Sequence, residues 1–148
     1  MAPITLEHKG ILRILDANIN RAKEGLRVVE DIARFIAHDN ALRIRLRRLR
    51  HQLDVILQIK ALRNAIAARN SNRDLGRPTD ILELSRARVT DVLYSNLARV
   101  KESLRVIEEF SKLIAPSAVA QAKEIRYRLY ALEKEVLMRY GFKRIRKK

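Results

Sequence analysis

The chain has 148 residues, enough for one domain and too few for a second catalytic domain beside it. Its 32 Lys and Arg outweigh 17 Asp and Glu for a formal charge of +15, a surplus that attracts anions: nucleic acid, an acidic membrane surface or phosphorylated metabolites. It has no cysteine, which excludes disulfides and thiolate chemistry, and no apolar run approaches the ~20 residues of a membrane span, so the expectation is a soluble cytoplasmic protein.

In chain order, Pro3 and Thr5 mark a helix start with Thr5 as N-cap, and a 3.6-residue period then runs through residues 11–37. His38-Asp39-Asn40 ends that helix, with Asp39 or Asn40 placed to cap the next, and the short turn predicts antiparallel neighbours. A second long helix is expected over residues 41–69, with Leu42, Leu46, Leu49, Leu53 and Ile56 as its stripe and five arginines between positions 43 and 50. Residues 69–78 are the one turn-rich interior stretch, where Gly76 predicts a positive φ, and Thr79-Asp80 is placed to cap a short helical turn over 81–84. A third helix is expected over 89–115, a break at Pro116-Ser117, and a fourth helix over 118–140 stopped by Gly141, before the basic tail 143–148.

The segment 18–31 returns at 96–109 with an offset of 78 and no gap. The offset carries Arg48 to Arg126 and Arg50 to Arg128, so the repeat, at about 13–57 and 91–136, spans two helices each time. The fold expected over 1–148 is therefore all-α: a bundle of two pseudo-symmetric helical hairpins, with four long helices and a short helical turn in the linker. The helices carry more apolar positions than one seam needs, which is compatible with a homodimer.

Shared packing would preserve the apolar positions and let the charges drift. Instead Asn18/Asn96, Arg21/Arg99, Lys23/Lys101, Glu24/Glu102, Arg27/Arg105 and Glu30/Glu108 are identical between the copies. On a helical projection Asn18 falls inside the apolar stripe of Ile11, Leu15, Ala22, Leu26 and Val29, Arg21 and Gly25 lie along its edge, and Lys23, Arg27 and Glu30 point away. No phosphate-binding glycine loop, paired metal-binding histidines or nucleophile elbow is present. Arginine suits bidentate phosphate binding, asparagine orients an amide-like or heterocyclic edge, and glutamate holds a divalent cation or a proton. The competing reading is structural: a seam asparagine that fixes register, and Arg/Glu pairs at i,i+3 that contribute a few tenths of a kcal/mol.

The pattern Ile14-Leu15-Asp16-Ala17-Asn18, Arg21, Glu24-Gly25-Leu26-Arg27-Val28, Glu30-Asp31, Arg34-Phe35 and Arg50-His51, with its second copy, resembles a small helical family of thiamine biosynthesis. That family occurs alone or fused in front of thiamine-phosphate synthase. The resemblance implies a hydroxymethylpyrimidine-phosphate kinase that uses ATP and Mg²⁺. By that implication Arg21 and Arg99 clamp phosphates, Glu24 and Glu102 hold Mg²⁺, and Asn18 and Asn96 orient substrates. Arg27 and Arg105 add substrate contacts, and Arg69 and Asp74 close the site from the middle loop. The family pattern Arg-Asp followed by Asp-Val-Gly stands here as Arg69-Asn70 and Asp74-Leu75-Gly76, so position 70 offers no carboxylate. Two other expectations stand beside this one: a non-catalytic partner of thiamine-phosphate synthase, and a basic helical module for nucleic acid or other anions. The nucleic-acid version is disfavoured by 4 Tyr, 3 Phe and no Trp for base stacking.

Overall fold

A computed structural model describes residues 5–78 and 86–141. Four helices carry the fold: α1 over Leu6–Asp31, α2 over Asn40–Leu57, α3 over Val89–Ile114 and α4 over Pro116–Val136. Thr5 accepts the His8 amide at 3.1 Å and Asp39 accepts the Leu42 amide at 3.0 Å, so these two expected caps are made, while the cap expected at Thr79-Asp80 lies outside the described residues. A π-helical turn follows α1 at Ile32–Ile36, and another follows α4 at Leu137–Gly141. Leu15, Ile19, Leu26, Leu97, Leu104 and Ile107, drawn from both repeats, are completely buried, so the all-α bundle has one core.

The most extensive packing joins α1 to α3, the two helices that carry the repeated segment. Gly25 permits it: a Cβ there would stand 2.6 Å from Cγ2 of Val100 and 3.1 Å from the Asn96 carbonyl oxygen. Within each hairpin two ion pairs join the helices. Glu30 accepts from Arg50 at 3.2 Å and Lys23 pairs with Asp54 in the first, while Glu108 accepts from Arg126 and Lys101 pairs with Glu133 at 2.9 Å in the second. Partners ascend on one helix as they descend on the other, which fixes both hairpins as antiparallel.

Two boundaries and one backbone angle differ from the sequence expectation. The second helix ends at Leu57 rather than near residue 69 and gives way to 3₁₀ turns at Lys60–Leu62, Ala65–Ala68 and Ser71–Arg73. A continued helix would carry Leu62 and Ala65 to the side opposite the Leu49–Ile56 stripe; the tighter turns bring both into the core at 0% and 1% exposure. Only Ala115 separates α3 from α4, because Pro116 opens α4 at a position whose missing N–H costs nothing. This shorter turn moves the register of the second hairpin. Glu30 and its arginine are 20 residues apart, Glu108 and its arginine 18, so Arg126 is the structural counterpart of Arg50 and not of Arg48. Gly76 has no positive φ; among the described residues the non-glycine position with positive φ is His38, at 51°, in the turn after the first π-helical turn. The helical turn expected over 81–84 lies outside the described residues.

Candidate anion-binding cleft

The retained polar residues fall into two groups by what they touch. Lys23, Arg27 and Glu30, with their counterparts Lys101, Arg105 and Glu108, have protein partners. Arg27 reaches Asp31 at 3.5 Å and Arg105 reaches Glu109 at 3.0 Å along their own helices. Glu30 and Glu108 are 4% and 3% exposed, so their arginines neutralise carboxylates that burial would otherwise penalise. Lys23, Glu30, Lys101 and Glu108 thus join helix to helix, whereas Arg27 and Arg105, both exposed, pair only along their own helices. Arg21, Glu24, Arg99 and Glu102 are exposed and make no hydrogen bond or ion pair among the described residues. Asn18 and Asn96 share one geometry: each side-chain amide donates at 2.8 Å to the carbonyl four residues earlier, Ile14 and Val92. Folding gives no account of why Arg21, Arg99, Glu24 and Glu102 are kept twice.

Asn18 and Arg21 open into a cleft of about 750 Å³ between the N-terminal half of α1 and the loop through residues 69–75, a size that suits a small-molecule ligand. Four arginines line it, Arg13, Arg21, Arg69 and Arg73, against the carboxylates of Asp16 and Asp74. Arg69 donates to Asp16 twice, Nε to Oδ2 at 2.7 Å and Nη2 to Oδ1 at 2.8 Å. These bonds hold the Arg69 guanidinium above the usual arginine range and pin the loop to α1. Arg13 touches only the Asn70 carbonyl, at 3.5 Å, and Arg21 and Arg73 have no partner among the described residues, so three guanidiniums remain for an anion. Asp74 accepts the Gly76 amide at 2.8 Å, a local turn that sets its carboxylate at the rim.

The structure therefore brings together Asn18, Arg21, Arg69 and Asp74 of the residues singled out from the sequence. Asn96, Arg99 and Glu102 do not line this cleft: Asn96 meets α1 beside Gly25, about 10 Å along α1 from Asn18 at 1.5 Å rise per residue. Glu24 stands one turn beyond Arg21 and outside the lining, and Arg27 and Arg105 stay in their helix pairs. No group of three or more metal-ligating side chains comes together among the described residues. A Mg²⁺ ion carried on phosphate oxygens needs only one or two carboxylates from the protein, and Asp74 is the one at the rim not already held by an arginine. Sequence reasoning missed Arg13, Asp16 and Arg73. None is repeated, since Asp91 and Tyr94 stand where Arg13 and Asp16 do, and a search keyed to the repeat passes over them.

The profile of the ThiD2 family matches residues 13–135, which includes both repeats and the middle loop. The chain belongs to the ThiD2 family. Among curated relatives, a protein of Synechocystis named thiamine-phosphate synthase is 45% identical over 128 residues, 86% of this chain and 36% of the relative. Proteins of the same name from Gloeobacter violaceus and Nostoc punctiforme are 42% and 41% identical, over 37% and 35% of their lengths. This family member thus spans about a third of the relatives it matches. No solved structure matches it, and among the described residues no helix is long and apolar enough to cross a membrane.

Proposed function

We propose that the chain is a phosphate-handling helical module of thiamine biosynthesis. Its reaction on this reading is transfer of the γ-phosphoryl group of ATP to hydroxymethylpyrimidine phosphate. One observation carries the reading: Arg21, kept in both repeats but unused by the fold, opens with Asn18 into the arginine-lined cleft. In this reaction the bond from Pγ to the β,γ-bridging oxygen breaks, a new bond forms from Pγ to a phosphate oxygen of the pyrimidine, and ADP leaves. Both reactants are anions, so the protein's task is to neutralise and align them rather than to supply a nucleophile. Arg13, Arg21 and Arg73 neutralise phosphate oxygens in the cleft, Asn18 orients the ligand, and the Arg69–Asp16 pair keeps the loop in place. Because the acceptor oxygen must come within about 3–3.5 Å of Pγ, both reactants meet in this cleft, and Arg99 with Asn96 acts on the part of the nucleotide that extends beyond its lining. Asp74, the cleft carboxylate that no arginine holds, would bind a Mg²⁺ ion carried on the nucleotide, with Glu24 and Glu102 one turn from Arg21 and Arg99, and the ion would supply further charge neutralisation.

A second reading has its own support: the relatives are named thiamine-phosphate synthase and the chain matches about a third of each. On that reading the module is a non-catalytic partner of a synthase, and its cleft holds a phosphorylated compound without turning it over. A kinase assay with ATP, Mg²⁺ and hydroxymethylpyrimidine phosphate separates the two, with the unphosphorylated pyrimidine as control. The kinase reading expects diphosphate from the intact chain, and a loss of orders of magnitude in Arg21→Ala and Arg99→Ala with nearly unchanged melts. Absence of diphosphate, together with stable association with a synthase or an altered synthase rate on mixing, transfers the conclusion to the partner reading.

A further inference from the structure

The two hairpins share one design but differ on their outer faces. Tyr94 stands where Asp16 does, and in the register that matches Arg126 to Arg50, Tyr127 and Tyr130 stand where His51 and Asp54 do. In the first hairpin all three places are engaged: Asp16 holds Arg69, Asp54 pairs with Lys23, and His51 pairs with Asp54. In the second they carry tyrosines that are 59%, 57% and 42% exposed. Lys101 joins them, since its Nζ lies 5.9 Å from the centre of the Tyr130 ring and Tyr94 precedes it by two turns on the same side of α3. The first hairpin forms without such rings, so folding does not account for them.

The tyrosines are set among cations. The rings of Tyr127 and Tyr130 meet edge to face with 5.9 Å between centres. Arg126, held by the buried Glu108, lies over both, 5.2 Å from one centre and 5.6 Å from the other. Lys123 flanks Tyr127 at 5.9 Å, and neither it nor Lys134, one turn after Tyr130, has an acidic partner among the described residues. Glu108 and Glu133, the acids of this part of the surface, are already engaged by Arg126 and Lys101. Cations thus occupy ring faces that a nucleobase needs for stacking. Ring edges and donors stay free: the lysine ammoniums, and the Tyr130 hydroxyl, which accepts from Arg126 at 3.1 Å and keeps its own proton to give.

We infer that the outer face of the α3–α4 hairpin is a docking surface for an acidic segment of another protein, one that presents carboxylates around apolar side chains. Tyrosine and arginine dominate the energetics of protein interfaces, and the bond to Glu108 fixes Arg126 before a partner arrives. Charge selects the occupant: lysines without acidic partners attract carboxylates and repel a second copy of the same face. A protein occupant also agrees with the relatives, of which the matched module is only 36% in the Synechocystis case, so that there it stands beside further protein. The inference does not rest on the kinase reading, because no residue lining the cleft takes part.

The probe is a peptide with glutamates along one face of a helix, leucines between them and a single tryptophan, the sole indole in the mixture because the chain has none. Titrated with the full chain at physiological ionic strength, its emission is expected to change saturably, and the same peptide with glutamine for glutamate to bind at least about tenfold more weakly. The chain's four tyrosines give four ring signals by NMR. Those of Tyr94, Tyr127 and Tyr130 are expected to shift with the peptide, while that of Tyr140, whose hydroxyl donates to Asp39, stays in place. Tyr127→His together with Tyr130→Asn brings in residues close to those of the first hairpin without changing the formal charge. The pair should lower affinity by about tenfold or more with a melt near that of the parent. Arg48→Gln, which removes a cation from α2, should leave affinity unchanged. Rings that do not move overturn the inference, as does an affinity indifferent to the tyrosine replacements or equally weakened by Arg48→Gln. Tighter binding of a single-stranded oligothymidylate through the same rings also overturns it, in favour of nucleic acid.

Discussion

Replacing Glu108 by Gln should destabilise the fold strongly, while replacing Arg99 by Gln, nine residues earlier on the same helix, should not. Glu108 is 3% exposed and accepts two hydrogen bonds from Arg126, whose side chain is 14% exposed. Neutralising the carboxylate leaves a largely desolvated guanidinium without its counter-charge. Breaking a fully buried pair from one side costs about 3–5 kcal/mol; the remaining solvent access of Arg126 reduces this to about 2–4 kcal/mol. At the 2–4 °C per kcal/mol typical of a chain this size, the melting temperature should fall by about 10 °C. Glu30→Gln should behave alike, because Arg50 pairs with it from the equivalent place with 19% side-chain exposure. Arg21→Gln and Arg99→Gln change exposed side chains that make no hydrogen bond or ion pair among the described residues, and should stay within about 0.5 kcal/mol of the parent. Thermal melts by circular dichroism, with calorimetry to check two-state behaviour, decide the matter. If Arg99→Gln lowers the melt as far as Glu108→Gln, the division of the retained polar residues into structural and functional groups is refuted.

Gly25→Ala should cost about 1–3 kcal/mol, since the methyl group must displace Val100 and press on the Asn96 carbonyl; urea unfolding at constant m-value would measure it, and an unchanged midpoint would mean that α1 and α3 separate freely. Arg69→Lys should not rescue Arg69→Ala in ATP or pyrimidine-phosphate binding by calorimetry, because an ammonium cannot reproduce the two parallel bonds to Asp16; full rescue would show that only charge matters there. Asp39 makes its own pH prediction. The Leu42 amide first, then Tyr140 and Arg139, hold its carboxyl below the usual range against the opposing effect of burial. A lowered folded pKa means the stabilisation is complete above the unfolded value near ~3.9 and is lost as pH falls through the folded value. Asp39→Asn, which keeps a capping oxygen, should therefore differ most from the parent above about pH 5 and converge with it in acid; a constant difference down to pH 2 would refute the charge argument.

How much of this was legible beforehand depended on the kind of residue. The stripes Ile11, Leu15, Ala22, Leu26, Val29 and Leu42, Leu46, Leu49, Leu53, Ile56 announced the first two helices, and Thr5 and Asp39 announced where they begin, because caps and 3.6-residue spacing are local chemistry. The turn at Ala115 was not legible to the residue, since an offset of 78 holds through α3 and shifts only where Pro116 starts the next helix without a spacer. Leu62 and Ala65 misled for a related reason: a helical reading extends naturally to residue 69, and only the position of α1 shows which way those two side chains must turn.

The site divides along the same line. The sequence by itself determined that the chain is two copies of one helical hairpin, that it is strongly basic, and that Asn, Arg and Glu positions are kept in both copies beyond what packing requires. Periodicity and repetition are properties of the chain written in order, so they are visible without a fold. Only the tertiary structure decided which of those polar residues the fold consumes, because Glu30 and Arg50, or Glu108 and Arg126, become partners only when antiparallel helices meet. It also decided that Asp16, Arg13 and Arg73 belong to the cleft: Asp16 and Arg69 lie 53 residues apart and are joined only when the 3₁₀ turns fold the loop back over α1.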